Sequence, residues 1–373
     1  MTTDGFARLP VAAPALGGNE EAYVLDAIRS SWISSTGPYV ERFEREFAMA
    51  CGTRTAISIV NGTAALHLAM LVHDVGAGDE VIVPSLTYIA TANAVRYTGA
   101  EPVFADIDAA TWCLDPASVE AAITPRTKGI VAVHLYGHPT DMDALAEVAG
   151  RHGLWLVEDA AEAHGARYRG RPTGSLAPIG AFSFYGNKIV TSGEGGALTV
   201  DDPELERRIR LLRGQGMDPA RRYWFPVVGY NYRMTNVAAA IACAQMERLP
   251  EIISERRQIF AGYQARLDGI PGLGFQPIAG WAQAAPWMFC LTVEPDAFGR
   301  TRDELAAELD RRGIETRPFF HPLHRLPPYS GGSGADLPVT DHVASVGLNL
   351  PTYIGLSDRD LDRVAAAIHD CRP

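Results

Sequence analysis

"TAISIVNGTAALHLAMLVHD", residues 55–74, decides the fold. Its first six residues, 55–60, are mostly β-branched or apolar and read as a buried strand. From 63 to 74 the apolar residues follow a helical spacing. Between the two lie only Asn61 and Gly62, too few for anything but a tight turn. Strand, short turn and helix together make half of a βαβ unit, and the same alternation continues to about residue 200. "VIV" (81–83), "PVFADI" (102–107), "GIVAVHL" (129–135) and "LWLVED" (154–159) read as strands. Helical segments through "ATANAVRYTG" and 141–151 separate them. "AFSFY" (181–185) and "ALTV" (197–200) read as two more strands joined through a glycine run. Alternation of this kind predicts a mostly parallel sheet covered by helices on both faces.

Two helices, over 235–249 and 251–267, then lead to a smaller C-terminal α+β unit. It holds "WMFCLTVEP" as a strand and "RDELAAELDRRG" and "LSDRDLDRVAAAIHD" as helices. The Pro/Gly-rich stretch 318–338 reads as a long loop of the kind that usually carries function. The expected division is a large domain over 1–249 and a smaller one over 250–373, in keeping with the 373-residue length.

The apolar fraction of 47% and charged fraction of 21% belong to an ordinary globular protein. A net charge of −11 argues against general binding to nucleic acid or anionic membranes. The first 21 residues show no signal peptide and no apolar run is long enough to span a bilayer, so a cytoplasmic protein is expected. Cys51, Cys113, Cys243, Cys290 and Cys371 are scattered and odd in number, with no CxxC pair. They suggest neither a zinc site nor a disulfide framework. "DMD" (141–143) reads better as a helix start than as a metal ligand set, so no metal is expected. Walker, complete GxGxxG and GxSxG signatures are missing.

Four features gather at predicted carboxyl ends of strands, where open α/β sheets bind their ligands. In "SFYGNKIVTSGEGG" (183–196), Lys188 follows an apolar aromatic stretch, so burial would lower its pKa and expose a nucleophilic amine. A stem packed inside with its head in water accounts for it equally well in isolation. "NGTAAL" (61–66) offers the amides of Gly62, Thr63 and Ala64, the Thr63 hydroxyl and a helix dipole to an anion, unless Thr63 is a plain N-cap. In "VEDAAEAHG" (157–165), Glu158 and Asp159 must face opposite sides of a strand, or else both cap a following helix. Tyr88, just beyond a strand, has a ring that could stack on a planar ligand or pack in the core. A phosphate site, a buried carboxylate, a flat aromatic and a buried lysine are together what pyridoxal 5′-phosphate (PLP) needs.

With "WISSTGPYVERFEREFA" (32–48), "GYNYRMTN", "RPFFHPLH" and "LNLPTYIGLSD" (348–358), these motifs resemble the DegT/DnrJ/EryC1/StrS family of nucleotide-sugar aminotransferases over almost the whole chain. "FYGNK", "EDAAEAHGA" and "GYNYRMTN" point to its GDP-perosamine synthase branch. The resemblance implies a fold-type I, PLP-dependent aminotransferase with L-glutamate as amine donor and a nucleotide-linked keto-6-deoxysugar as acceptor. GDP-4-keto-6-deoxymannose is the expected acceptor. A dTDP- or UDP-linked sugar or a keto-cyclitol, and further off a non-catalytic PLP-binding regulator, are the alternatives.

The resemblance also implies roles. Lys188 would be the Schiff-base lysine and Asp159 the partner of the pyridine nitrogen. Tyr88 would stack on the ring, and Gly62, Thr63 and Ser183 would hold the phosphate. Asn231 would reach the phosphate from the other subunit of a homodimer. Glu162 stands where many relatives carry glutamine, near the phenolic oxygen. Relatives that remove a hydroxyl carry histidine in place of Lys188, so that reaction is disfavoured. Arg317 and His321, in "ETRPFFHPLHRLPPY" (315–329) with His324 and Arg325, are the expected cations for the nucleotide diphosphate.

Overall fold

A computed structural model describes residues 8–330 and 336–372, so residues 1–7 of the stretch read for a signal peptide and 331–335 of the long loop lie outside it. The larger part is built on β1 (Thr55–Ile59), β2 (Glu80–Pro84), β3 (Glu101–Ala105), β4 (Thr127–Val133) and β5 (Trp155–Asp159). A short ribbon follows, β6 (Arg167–Tyr168) and β7 (Arg171–Pro172), and then β8 (Ile179–Ser183) and β9 (Gly196–Val200). Seven of these form one sheet in the order β1-β9-β8-β5-β4-β2-β3. β8, β5, β4, β2 and β3 run parallel, whereas β9 is antiparallel to both β1 and β8. The mostly parallel sheet expected from the alternation is present. β9 reverses because a glycine-rich turn, not a crossover helix, joins it to β8.

Every residue of β2 and β9 is buried, as a strand covered on both faces requires. On one face, Phe43 and Phe47 of the helix Pro38–Cys51 meet Phe182 and Phe184 edge-on at 4.8–5.1 Å between ring centres. Such T-shaped pairs add specific attraction to the area they bury. On the other face, the helix Gly62–Leu71 buries eight of its ten residues.

A second sheet follows the helix Leu249–Leu267. It comprises β10 (Leu273–Phe275), β12 (Phe289–Val293), β13 (Arg317–Pro318) and β14 (Gly347–Leu350), in the order β10-β12-β14-β13 and antiparallel throughout. β11 (Ala282–Gln283) instead joins the β6–β7 ribbon of the large sheet's periphery. Leu9 bridges to Ile314 and belongs to the same core as Tyr263, Leu305 and Ile368, so the segment at Leu9 is fastened to this second core.

The five cysteines are buried and unbridged. Asp141 caps the helix Met142–His152 by accepting from the amide of Ala144, as "DMD" suggested. Among the described residues, no cluster of three or more His, Cys, Asp or Glu side chains is placed to hold a metal. No helix among them is long and apolar enough to cross a membrane.

Candidate active site

The ends of β1, β5 and β8 meet at one edge of the large sheet. At β1, Asn61 caps the helix Gly62–Leu71, its Oδ1 accepting from the amide of Ala64 at 2.8 Å. The alternative of an N-cap by Thr63 is thereby overturned. The Ala64 amide also drops out of the anion site, since the cap uses it. Among the described residues the amides of Gly62 and Thr63 have no acceptor, and they start a helix whose dipole favours an anion.

Ser183, the last residue of β8, stands directly against them. A Cβ on Gly62 would lie 2.7 Å from the Ser183 Cβ, too close to exist. One on Gly196 would lie 2.5 Å from the Asn61 carbonyl. Glycine at both positions lets β8, β9 and the helix start converge. The result is a small cradle of two unused amides and a hydroxyl, which fits a phosphate group.

At β5, alternation sends the two acids apart, as read from the sequence. Glu158 is fully buried, and accepts from the amides of Gly174, Leu176 and Ala177 at 2.7–3.0 Å. His134 Nε2 lies 3.0 Å from it. These contacts make it a structural anchor. Asp159 faces the site, its Oδ2 accepting from Thr91 Oγ1 at 2.8 Å and its Oδ1 from the Ala161 amide at 3.2 Å. No helix follows directly, so capping is not what either acid does. Burial raises the Asp159 pKa, while the Thr91 and Ala161 bonds and Lys188 pull it down. A buried carboxylate in that balance gains from a cationic partner such as a protonated pyridine, so the residues present fit the ring nitrogen of PLP.

Lys188 sits in the turn between β8 and β9 with its side chain 11% exposed. Its Nζ lies 3.8 Å from Glu162 Oε1 and 3.9 Å from the centre of the Trp287 ring. Desolvation lowers its pKa against the opposing pull of Glu162 and Asp159. With only 11% of its side chain exposed, Lys188 is mostly enclosed, in keeping with the buried reading over the snorkelling one. The chain has one other lysine, Lys128, near the amino end of β4, half-exposed and 3.7 Å from Asp79. Glu162 accepts from the Tyr136 amide at 2.7 Å through Oε2. Burial pushes its carboxyl up to about 7, with Lys188 and the Tyr136 amide opposing.

Tyr88 is exposed beyond β2, with its ring 5.8 Å from Phe320. Phe320 also stacks on Tyr136 at 5.5 Å, which carries the loop 319–330 over this edge of the sheet. The expected cations of that loop divide. Arg317 and His321 are exposed, Arg317 being 3.7 Å from Glu315. His324 instead packs on Ser85, Nδ1 to Oγ 2.6 Å, and burial lowers its pKa. Arg325 pairs with Asp341 at 2.6 Å. These two fasten the loop and are not available to a diphosphate.

Asn231 is exposed, and its Oδ1 accepts from Arg233 at 3.3 Å. Its neighbour Tyr232 accepts from the Val60 amide at 2.8 Å, which places this segment along the edge that holds the Gly62 cradle. The sequence reading missed Thr91 and Trp287. Thr91 lies three residues after Tyr88 on the next helix, a spacing that could have flagged it. Nothing local marks Trp287.

An α/β sheet that presents a buried amine, two buried acids and an anion cradle at one edge defines a fold-type I, PLP-dependent aminotransferase. The chain belongs to the DegT/DnrJ/EryC1/StrS aminotransferase family, whose sequence profile matches residues 14–369. It is 51% identical to the GDP-perosamine synthase of Caulobacter vibrioides, over 97% of each chain. It is 40% identical to that of Escherichia coli O157:H7, over 97% of this chain and 98% of that one. Spr1654 of Streptococcus pneumoniae, solved in its PLP form, resembles it with a TM-score of 0.91 and 29% identity over 98% of each chain.

Proposed function

We propose that this chain moves the amino group of L-glutamate to GDP-4-keto-6-deoxymannose, yielding GDP-perosamine and 2-oxoglutarate. One observation carries the chemistry: a lysine side chain only 11% exposed lies 3.8 Å from Glu162 and feels the charge of Asp159, in a turn that leaves the strand whose end, Ser183, meets an unused helix N-terminus. The acceptor rests on the 51% identity to a GDP-perosamine synthase. That identity does not favour a dTDP- or UDP-linked sugar, a keto-cyclitol or a non-catalytic regulator. The test is a panel of GDP-, dTDP- and UDP-linked ketosugars assayed with glutamate. Preferred turnover of a dTDP or UDP sugar would overturn the choice of acceptor.

PLP, on which the family depends, supplies an aldehyde that accepts amines and a ring that takes up negative charge from the neighbouring carbon. Lys188 Nζ would anchor it and, once free, take a proton from the donor's α-carbon and return one to the sugar carbon. Asp159, oriented by Thr91, would keep the ring nitrogen protonated. Gly62, Thr63 and Ser183 would hold the phosphate, Tyr88 would cover the ring face, and Glu162 would stand at the phenolic oxygen. We assign this machinery to a domain over 1–249, and to one over 250–373 the loop that closes the site.

Arg317 and His321 are proposed to meet the diphosphate. Their alanine variants are expected to raise the KM for the sugar nucleotide and leave the glutamate half-reaction nearly intact, because glutamate carries no diphosphate. Stopped-flow absorbance separates the two half-reactions. Equal damage to both would assign these residues to folding or cofactor retention.

The site is further proposed to be shared across a homodimer, with Asn231 reaching the partner's phosphate. The exposure of Tyr223, Trp224, Phe225 and Val228 on the loop just before Asn231 supports a contact face there. Mixing inactive Lys188→Ala with inactive Asn231→Ala chains under subunit exchange should restore activity. Activity returns only if one site draws the two residues from different chains. Exchange without recovery would place both residues in the same subunit's site.

A further inference from the structure

Trp287 is 4% exposed and held from several sides. Its indole Nε1 donates to the carbonyl of Asn187, next to Lys188, at 2.8 Å. Its amide donates to Ala285 at 2.9 Å. Its carbonyl accepts from Nη1 of Arg256 at 2.9 Å, a guanidinium only 3% exposed that also donates to the Thr352 carbonyl. The ring stacks on Tyr136 at 6.1 Å with 20° between planes, and Tyr136 in turn donates its amide to Glu162.

The face of this fixed ring lies 3.9 Å from Lys188 Nζ. Glu162 Oε1, at 3.8 Å, stands beyond hydrogen-bond reach, so the ring is a direct contact of the amine in its own right. Indole is the best cation–π acceptor among side chains, and the attraction is largest where water is excluded.

We propose that Trp287 is a positioning residue: its ring holds the Lys188 ammonium in place whenever the amine is not covalently engaged. This rests on the assignment of Lys188 as the cofactor-bearing amine. A transfer that runs in two halves frees the lysine once per half. A free ammonium with Glu162 3.8 Å away and the charge of Asp159 also acting on it could swing toward either acid. The ring lowers the cost of burying that charge without forming a tight ion pair, so the amine stays centred and can still give up its proton. The other charged or titratable groups around it are Glu162, Asp159, Arg256 and His164. Burial pushes the His164 imidazole down to about 3, so it stays neutral.

The test uses the full chain freed of PLP and the pH dependence of acetic anhydride modification of Lys188, read by mass spectrometry of its peptide. Lys128, the only other lysine, is the internal reference. Removing the ring face removes a contact that favours the charged amine. Trp287→Leu should therefore lower the modification midpoint of Lys188 by about one pH unit and leave Lys128 unchanged. Trp287→Met, which has about the volume of leucine but an unbranched, adaptable chain, should do the same. Trp287→Phe, which keeps a π face but loses the bond to Asn187, should retain at least half of the wild-type midpoint difference. Wild-type midpoints in the Leu and Met variants, or a Phe variant as low as Leu, would overturn the proposal. Borohydride labelling of Lys128 instead of Lys188 in the wild-type holoenzyme would sink the assignment of the cofactor amine. The midpoint experiment would be unaffected.

Discussion

Lys188→Ala is expected to lower amino transfer from L-glutamate by at least roughly a thousandfold and to end covalent retention of PLP. The substitution removes the anchor and the proton carrier together, and the chain has no substitute nearby. Lys128 is its only other lysine, near the amino end of β4 and away from the edge where the site lies. Lys188→Arg is not expected to rescue, because a guanidinium stays protonated and cannot act as a nucleophile or base at neutral pH. Borohydride reduction of the holoenzyme followed by peptide mapping checks this directly. The pyridoxyl label belongs on the Lys188 peptide in the wild type and on no peptide in the alanine variant. A label that persists in the alanine variant would show that another amine holds the cofactor.

Asp159→Asn is expected to weaken PLP retention roughly 10- to 100-fold, the equivalent of a lost charge-assisted hydrogen bond. The rate should fall further, because a ring nitrogen without a carboxylate partner is a poorer electron acceptor. The amide preserves shape: its Oδ1 can still accept from the Ala161 amide while its Nδ2 donates to the Thr91 hydroxyl, so the fold should tolerate it. Glu158→Gln is the contrasting control. Glu158 faces the other side of β5 and satisfies three amides beside His134. Its loss should lower the melting temperature and leave the affinity for PLP nearly unchanged. Equilibrium dialysis against PLP with thermal melts of both variants separates these outcomes. Normal PLP affinity in Asp159→Asn would mean that the ring nitrogen is held elsewhere.

Much of this protein could be read along the chain because its parts are local. Short apolar, β-branched runs alternating with helical patterns from 55 to 200 specify the strands and helices, because residue type and spacing within each element suffice to recognise it. Strand alternation alone separated Glu158 from Asp159, and the motif "SFYGNKIVTSGEGG" located the buried lysine. Three-dimensional packing decided the rest. The reversal of β9 depends on which strands pair once the glycine turn is made, and no periodicity records that. Asn61, not Thr63, became the helix cap because only the folded turn brings its Oδ1 to the Ala64 amide. His324 and Arg325 look like Arg317 and His321 in sequence. They are spent on Ser85 and Asp341, partners 239 and 16 residues away. Trp287 reaches Lys188 across a sequence separation of 99, counted from their numbers in the chain. Residue type and spacing therefore determined which chemistry the chain could carry. Contacts between distant segments determined which side chains remain free to perform it, because a hydrogen bond or ring contact is set by proximity in space, and a linear pattern encodes proximity only within an element.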